Sequence, residues 1–115
     1  MRFALLLASL LAACASGPTP PAWQADAKGA LDRSTSAYLA GETKASDAEM
    51  ERARRTLAST GRADLLARAE LMRCAARVAS LVFEACERFE ALRADAPAAE
   101  RAYADHLAAR PLSRD

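Results

Sequence analysis

The sequence is poor in the residues from which catalytic and metal sites are built. His106 is the only histidine, and no cysteines or carboxylates accompany it at metal-ligand spacing. The chain has no glycine-rich loop to cradle a phosphate, and no serine lies in the glycine-flanked turn of a hydrolase nucleophile. The sequence therefore predicts no catalytic site, no metal site and no cofactor, and we interpret His106 as a structural or surface residue.

An excess of charge of one sign is also missing. The 115 residues include 16 Lys and Arg against 15 Asp and Glu, which leaves a formal net charge of +1. A nucleic-acid-binding surface needs a basic excess on one face, so no nucleic-acid partner is expected. Aromatic residues make up only 5% of the chain. The core must therefore consist mainly of alanine and leucine, which predicts modest stability.

The apolar run near the start of the chain is too short for a transmembrane helix. It extends from Phe3 to Ala13, eleven residues, whereas a helix needs about 20 to span a bilayer. The run follows the positive charge of Arg2 and ends in small residues. This pattern is typical of a secretory signal peptide, so we expect an exported protein.

The end of this run, Leu11-Ala12-Ala13-Cys14, resembles the signal of bacterial lipoproteins. The resemblance implies that residues 1–13 are removed, that Cys14 carries the lipid, and that the lipid anchors the protein to a membrane of the cell envelope. Ala15 follows the cysteine, where similar enterobacterial lipoproteins that stay in the inner membrane have Asp. The resemblance thus favours the outer membrane, facing the periplasm. The alternative is an ordinary secretory peptide cut near Ala13 or Ala15, with Cys14 incidental.

The remaining chain divides into a tether, a domain and a short tail. Residues 15–21 contain three prolines and a glycine, so residues 14–21 are expected to be a lipidated cysteine with a flexible tether. Residues 22–111 form the predicted domain, and residues 112–115 are expected to fray.

Apolar residues recur at three- and four-residue spacing throughout the domain, which predicts helices over residues 22–40, 46–59, from 63 onwards and from 95–97 to Pro111. Gly41 and Gly61 are the expected stops, and Ser46 with Glu49 fits a capping box. Asp95 is the expected cap of the last helix. The predicted fold class is all-α, a small antiparallel helical bundle or stacked helical hairpins.

Each predicted helix has a face on which core residues are expected. These residues are Trp23, Ala27, Ala30, Leu31, Ser34 and Tyr38; Met50, Ala53 and Leu57; Leu65, Ala69, Met72, Ala76 and Ala79 with Leu71, Ala75, Val78 and Val82; and Ala99, Tyr103 and Leu107. The third helix is apolar on two faces, so it is expected to be central. Arg52, Arg54 and Arg55 are expected on the solvated side of the second helix, and helical spacing resumes over residues 84–93.

Cys74 and Cys86 are an even pair in a chain expected to reach an oxidising compartment. Twelve residues of one straight helix span about 18 Å, whereas a disulfide needs Cα atoms within about 7 Å. Two alternatives follow. Either the chain breaks near residues 79–83 and the two cysteines form a disulfide, or the helix continues and both are unbridged, buried thiols.

Two functions from different classes remain open. The first is a non-enzymatic, membrane-tethered lipoprotein that binds another protein as an accessory or scaffold subunit. The second is a module that binds a small ligand or inhibits an envelope enzyme. A scaffold predicts an exposed apolar surface, whereas a ligand module predicts a well-formed apolar pocket near Trp23, Tyr38 or Phe83. Trp23 itself is expected either to cap the core or to contact a membrane or partner.

Overall fold

The structure, a computed structural model, describes residues 17–109. The predicted signal peptide, the lipid site at Cys14 and the predicted stop at Pro111 lie outside the described residues. Regular structure within 17–109 consists of α1 (Ala22–Leu39), α2 (Thr43–Ala58), α3 (Ala63–Ala79), α4 (Glu87–Glu90), a 3-10 helix (Arg93–Asp95) and α5 (Ala98–Leu107). No strand occurs in this range, so the all-α prediction is confirmed.

Helices α1 and α2 form an antiparallel hairpin. The turn between them is made by Gly41, whose φ of 79° is the left-handed conformation that glycine adopts without strain. Near the turn the Ser34 hydroxyl donates to the Ser46 carbonyl at 2.9 Å, and both serines are buried. Met50, Ala53 and Leu57 are buried as predicted.

Helix α3 lies between two hydrophobic clusters, which confirms its predicted central position. The first cluster joins it to the α1–α2 hairpin and contains buried Ala27, Met50, Leu57 and Ala69. The second joins it to the C-terminal segments and contains buried Ala67, Leu71, Phe89, Ala96 and Ala104. Phe89, 1% exposed, is the largest side chain in this second cluster. The architecture is thus a helical hairpin on one side of α3 and a short helical segment on the other.

Two predicted helix starts are wrong. Helix α2 begins at Thr43, and Ser46 lies inside it because its N–H already bonds to the Glu42 carbonyl at 2.9 Å. The N-cap of α5 is Pro97, which makes no side-chain cap, while Asp95 ends the preceding 3-10 helix. The short polar side chains that favour caps are tolerated elsewhere when their backbone groups are paired.

The predicted inward face of α5 is partly wrong. Leu107 is half-buried and packs against the second cluster as predicted, whereas Ala99 and Tyr103 are exposed and Ala104 is the buried residue. Because the small side chain of Ala104 lets α5 approach α3 closely, the larger Tyr103 is left at the edge of the contact. Similarly, Met72 and Ala79 of α3 are exposed rather than buried.

The chain breaks after α3, within the stretch where the sequence predicts a break. Helix α3 ends at Ala79, residues 82–86 have no regular structure, and Cys74 and Cys86 are joined by a disulfide with Cα atoms 5.8 Å apart. The alternative of a continuous helix with two free thiols is excluded in this structure. Since Cys86 must return to Cys74, only Glu87–Glu90 and Arg93–Asp95 are helical in the stretch predicted to resume helical spacing.

Candidate interaction site: a loop held by the disulfide

Residues 80–86, hereafter the clamped loop, connect α3 to α4 and are held at both ends. The disulfide joins Cys86 at the far end to Cys74 of α3. At the near end the Arg77 carbonyl accepts the N–H groups of Ser80 at 3.0 Å and Val82 at 2.9 Å. The Arg77 guanidinium also reaches forward to Glu84, with Nη2 2.7 Å from Oε1. These bonds fix the position of the clamped loop relative to α3.

Leu81 has an unusual backbone conformation for a leucine. Its φ is 64°, in the left-handed region, and its N–H donates to the Val78 carbonyl at 2.9 Å. Together with the bond from Val82 to Arg77, this is the Schellman arrangement that ends many helices. Glycine usually fills this position, as Gly41 does after α1, because a Cβ atom there costs about 1–2 kcal/mol. The chain therefore places a bulky apolar residue where it is conformationally unfavourable.

The clamped loop exposes apolar side chains rather than burying them. Leu81 and Phe83 are each 77% exposed, Val82 is half-buried, and Ala85 is exposed. The backbone N–H and C=O groups of Phe83, Glu84 and Ala85 make no hydrogen bond to any other part of residues 17–109. Both the side chains and the main chain of this segment are consequently available to another molecule.

The clamped loop lies at the end of the bundle opposite the start of α1. At one end, Trp23 of α1 packs on the same cluster as Leu65 and Leu66, which begin α3. At the other end, the Arg77 guanidinium lies 5.8 Å from the centre of the Tyr38 ring, near the end of both helices. Because α3 has 17 residues, these ends are about 25 Å apart. Leu39, 68% exposed, shares the end with the clamped loop.

A cleft of about 250 Å³ adjoins the disulfide, and most of its charged groups are engaged in ion pairs. Arg73 Nη2 lies 2.7 Å from Asp47 Oδ1, and Arg77 holds Glu84. The cleft is lined by Glu70, Arg73, Cys74, Arg77, Val82, Glu84, Ala85, Cys86, Glu87, Arg88 and Phe89. Within residues 17–109 no group of three or more His, Cys, Asp or Glu side chains is arranged to hold a metal ion.

Glu70 at the edge of this cleft is buried, with 5% of its surface exposed. Both of its carboxylate oxygens accept from Arg54 of α2, Nε to Oε1 at 2.5 Å and Nη2 to Oε2 at 2.9 Å. Arg54 also pairs with Glu51. The hydrogen bond to Glu70 raises the pKa of the Arg54 guanidinium above its ordinary value, against the opposing effect of burial. The prediction that Arg54 lies on the solvated side of its helix is wrong, because its long side chain reaches across to α3.

The burial of Glu70 was not predicted, although the sequence carries a signal for it. Ala67, Leu71 and Cys74 are apolar and lie three or four residues apart around Glu70, which places Glu70 on the side of α3 that the structure buries. A carboxylate at such a position needs a cationic partner, and an arginine of the neighbouring helix supplies it.

Two further cavities within the described residues differ in size and openness. The space beside Tyr38 measures about 20 Å³, enough for about one water molecule. An open groove of about 340 Å³ lies between α1, α3 and α5, where Met72 is 44% and Tyr103 47% exposed. Trp23 and Phe83 line neither space, and Trp23 packs half-buried against the first hydrophobic cluster. Of the two predictions for Trp23, the one in which it caps the core therefore agrees with the structure.

The last of the residues considered from the sequence, His106, lies at the surface. His106 is exposed, and its ring stacks on Tyr103 with centroids 6.4 Å apart.

None of the helices between residues 17 and 109 is both long enough and apolar enough to cross a membrane. No protein-family model, curated protein or solved structure matches this chain.

Proposed function

We propose that this protein is a membrane-tethered lipoprotein of the bacterial cell envelope that binds another protein as a non-enzymatic accessory or scaffold subunit. The observation that carries the proposal is the display of Leu81 and Phe83, each 77% exposed, on the clamped loop. Large apolar side chains held in contact with water favour a binding surface when they are fixed in place.

The way the loop is held supports binding rather than incidental exposure. Leu81 keeps a left-handed φ of 64° that glycine would adopt more readily, yet its side chain makes no buried contact in return. Strain of this kind concentrates at functional sites. The disulfide also orders the loop before any partner arrives, which reduces the entropy lost on association.

The tether fits the same proposal. Residues 14–21 reach at most about 28 Å when fully extended. A lipid on Cys14 would keep the start of α1 near the membrane, and the clamped loop at the other end of the bundle would be free to meet a partner away from the membrane surface. The outer membrane, facing the periplasm, is the proposed location.

A small-ligand-binding module is the second candidate, and the groove beside Met72 and Tyr103 is the observation that favours it. The groove volume of about 340 Å³ is comparable to that of small-molecule sites, and apolar side chains contribute most of its lining. It is open along its length, so it encloses a ligand less completely than the sites of typical ligand carriers.

Capture from envelopes of native cells tests the protein-binding proposal and separates the two candidates. Tagged full-length protein is compared with two double variants, Leu81→Ser with Phe83→Ser and Met72→Ser with Tyr103→Ser. We expect a co-purifying protein to be lost with the loop variant and kept with the groove variant, because all four side chains are exposed and neither variant disturbs the core. Equal capture by both variants would contradict the proposed role of the loop.

A further inference from the structure

We infer that residues 82–85 dock as an added strand on a protein partner that offers an open sheet edge or a peptide-binding cleft, with an apolar pocket for Phe83. The inference rests on the proposed protein-binding function and names the kind of partner. Three features of the clamped loop support the inference. Its main chain is unpaired over residues 83–85, its apolar side chains point outward, and a disulfide holds its base.

The main chain of the loop is unpaired. Phe83, Glu84 and Ala85 leave their backbone donors and acceptors free, although the N–H of Val82 just before them and the carbonyl of Cys86 just after them are hydrogen-bonded. Strand addition satisfies such groups with the main chain of the partner, and pockets on the partner then read alternate side chains.

The side chains divide between the bundle and solvent in a way that is compatible with strand addition. Phe83, Glu84 and Ala85 are all exposed and Val82 is half-buried, but the Glu84 carboxylate is held back towards α3 by Arg77. When the segment pairs as a strand, residues two apart share a face, so Phe83 and Ala85 can both point into the partner while Val82 and Glu84 stay on the side of the bundle. Phe83 supplies most of the apolar area, which makes it the expected anchor.

A membrane is a poorer occupant than a protein. Inserting the loop into lipid would place the free N–H and C=O groups of residues 83–85 where no water can pair with them. The predicted tether also joins the domain at the start of α1, about 25 Å from the loop along α3. A protein partner that supplies hydrogen bonds avoids the first difficulty and can approach from the free side.

A second copy of this chain is also a poorer occupant. Leu39, Leu81 and Phe83 together offer far less contact than the roughly 800 Å² per partner of a standard protein interface. Three side chains suit an anchor that enters a pocket better than a self-complementary face.

Site-specific photo-crosslinking in native cells tests the inference on the full-length protein. The photoreactive residue p-benzoylphenylalanine replaces Phe83 in one strain, Tyr103 in a second and Trp23 in a third. The Phe83 strain is repeated with Ala85→Pro, which removes one main-chain donor, and with Ala85→Gly, which keeps it. Ala85 is exposed and its N–H is unbonded, so neither substitution removes a native hydrogen bond.

We expect a single protein adduct from position 83, reduced at least tenfold by Ala85→Pro and retained with Ala85→Gly. The partner peptide in the adduct, identified by mass spectrometry, should map to a sheet edge or peptide-binding cleft. An adduct insensitive to Ala85→Pro, an adduct with lipid, or an adduct with a second copy of the chain would each overturn the inference. If the Ala85→Pro variant does not fold, the location of the crosslinked peptide in the partner decides the inference. A peptide that lies neither at a sheet edge nor in a peptide-binding cleft would then overturn it.

The outcomes also separate this inference from the proposed function. A protein adduct from position 103 or 23 with none from position 83 overturns strand addition by the loop and leaves protein binding standing. No protein adduct from any of the three positions overturns both.

Discussion

Leu81 combines an unfavourable backbone conformation with an almost fully exposed side chain. Its φ of 64° and its 77% exposure mean that the leucine gains little from packing to offset the close contact of its Cβ atom with the backbone. Gly41, in the equivalent position after α1, has no such contact. Stability alone would favour glycine at position 81, so the presence of leucine there fits the proposed role of the loop in binding.

The substitution Leu81→Gly should therefore stabilise the protein while weakening partner capture. We expect the free energy of unfolding to rise by about 1 kcal/mol, which is a rise of a few degrees in Tm for a domain of this size. Thermal unfolding followed by circular dichroism measures it. Ala79→Gly, inside the last turn of α3, is the matched control and should lower Tm. A lower Tm for Leu81→Gly would show that the leucine is not strained.

Asp64 in the first turn of α3 predicts a specific acid response. Its hydrogen bonds to Arg62, Nε to Oδ1 and Nη2 to Oδ2 at 2.8 Å each, are the main reason that its pKa is lowered to about 2. An aspartate in an unfolded chain titrates near pH 3.9. Because the folded pKa is depressed, the stabilisation is present above about pH 4 and is lost as the pH falls through about 2.

The variant Asp64→Asn should accordingly be less stable than the wild type at pH 5, and the difference should shrink as the pH falls towards 2. Urea midpoints between pH 2 and pH 5 measure it. Asp26→Asn, an exposed aspartate of α1, is the control and should leave the curve unchanged. A difference that is constant over this range would contradict the assigned pKa.

Helices α2 and α3 are joined by the buried pair of Arg54 and Glu70. Glu70 is 5% exposed, so its carboxylate depends on the guanidinium for the hydrogen bonds that water would otherwise supply. Such a pair orients the two helices, although an apolar pair of similar volume can be equally stable.

Breaking this pair on one side should be strongly destabilising. We expect Glu70→Ala to lower the free energy of unfolding by about 3 kcal/mol, since it leaves the Arg54 guanidinium partly buried beside Glu51 alone. The double variant Arg54→Met with Glu70→Leu should recover most of the loss. Chemical denaturation of both single variants and the double variant measures the coupling, and additive losses would show that the pair is not coupled.

The disulfide determines the path of the chain after α3. It returns the chain from Cys86 to Cys74, and in doing so it places Phe89 in the second hydrophobic cluster. Without the bond, the chain between the two cysteines samples many more conformations in the unfolded state. The Ala-rich core is predicted to give modest stability, so we expect this loss to be measurable.

The variant Cys74→Ala with Cys86→Ala should therefore lower the free energy of unfolding by roughly 2–3 kcal/mol in the chain-entropy model. Tm should fall by several degrees, and wild-type protein treated with reductant should behave in the same way. Alkylation of denatured, non-reduced protein from native envelopes is the direct check. Full labelling of both thiols would show that the bond does not form in the cell.

The two ends of the helical bundle carry different residues. Trp23 and the start of α3 form one end, and the clamped loop with Leu39 forms the other. The proposed lipid on Cys14 would confine the clamped loop to the region near the membrane surface.

The variant Cys14→Ser should abolish anchoring without changing the domain. We expect an unprocessed precursor, no incorporation of labelled palmitate, and the same circular dichroism spectrum for the domain. Ala15→Ser, one residue later, is the matched control and should still be labelled. Intact-mass measurement of membrane-extracted protein with an unmodified Cys14 would contradict the lipoprotein proposal.

The helical fold and its division into elements could be read from the sequence because they depend on short-range patterns. The three- and four-residue spacing of apolar side chains located every long helix, and Gly41 marked a true stop. The separation of Cys74 and Cys86 also required a break in α3 if the two were bonded, and the break lies there. These inferences need only the geometry of one chain segment.

The positions of particular side chains depended on how the helices meet. Alanine occurs on every side of these helices, so the apolar pattern distinguishes faces only weakly, and Ala104 rather than Tyr103 turned inward. The pairing of Glu70 with Arg54 joins residues 16 apart on different helices, and no local pattern encodes that distance. The exposure of Leu81 and Phe83 likewise follows from the path that the disulfide imposes after α3, because an apolar side chain is buried only where a neighbouring element reaches it.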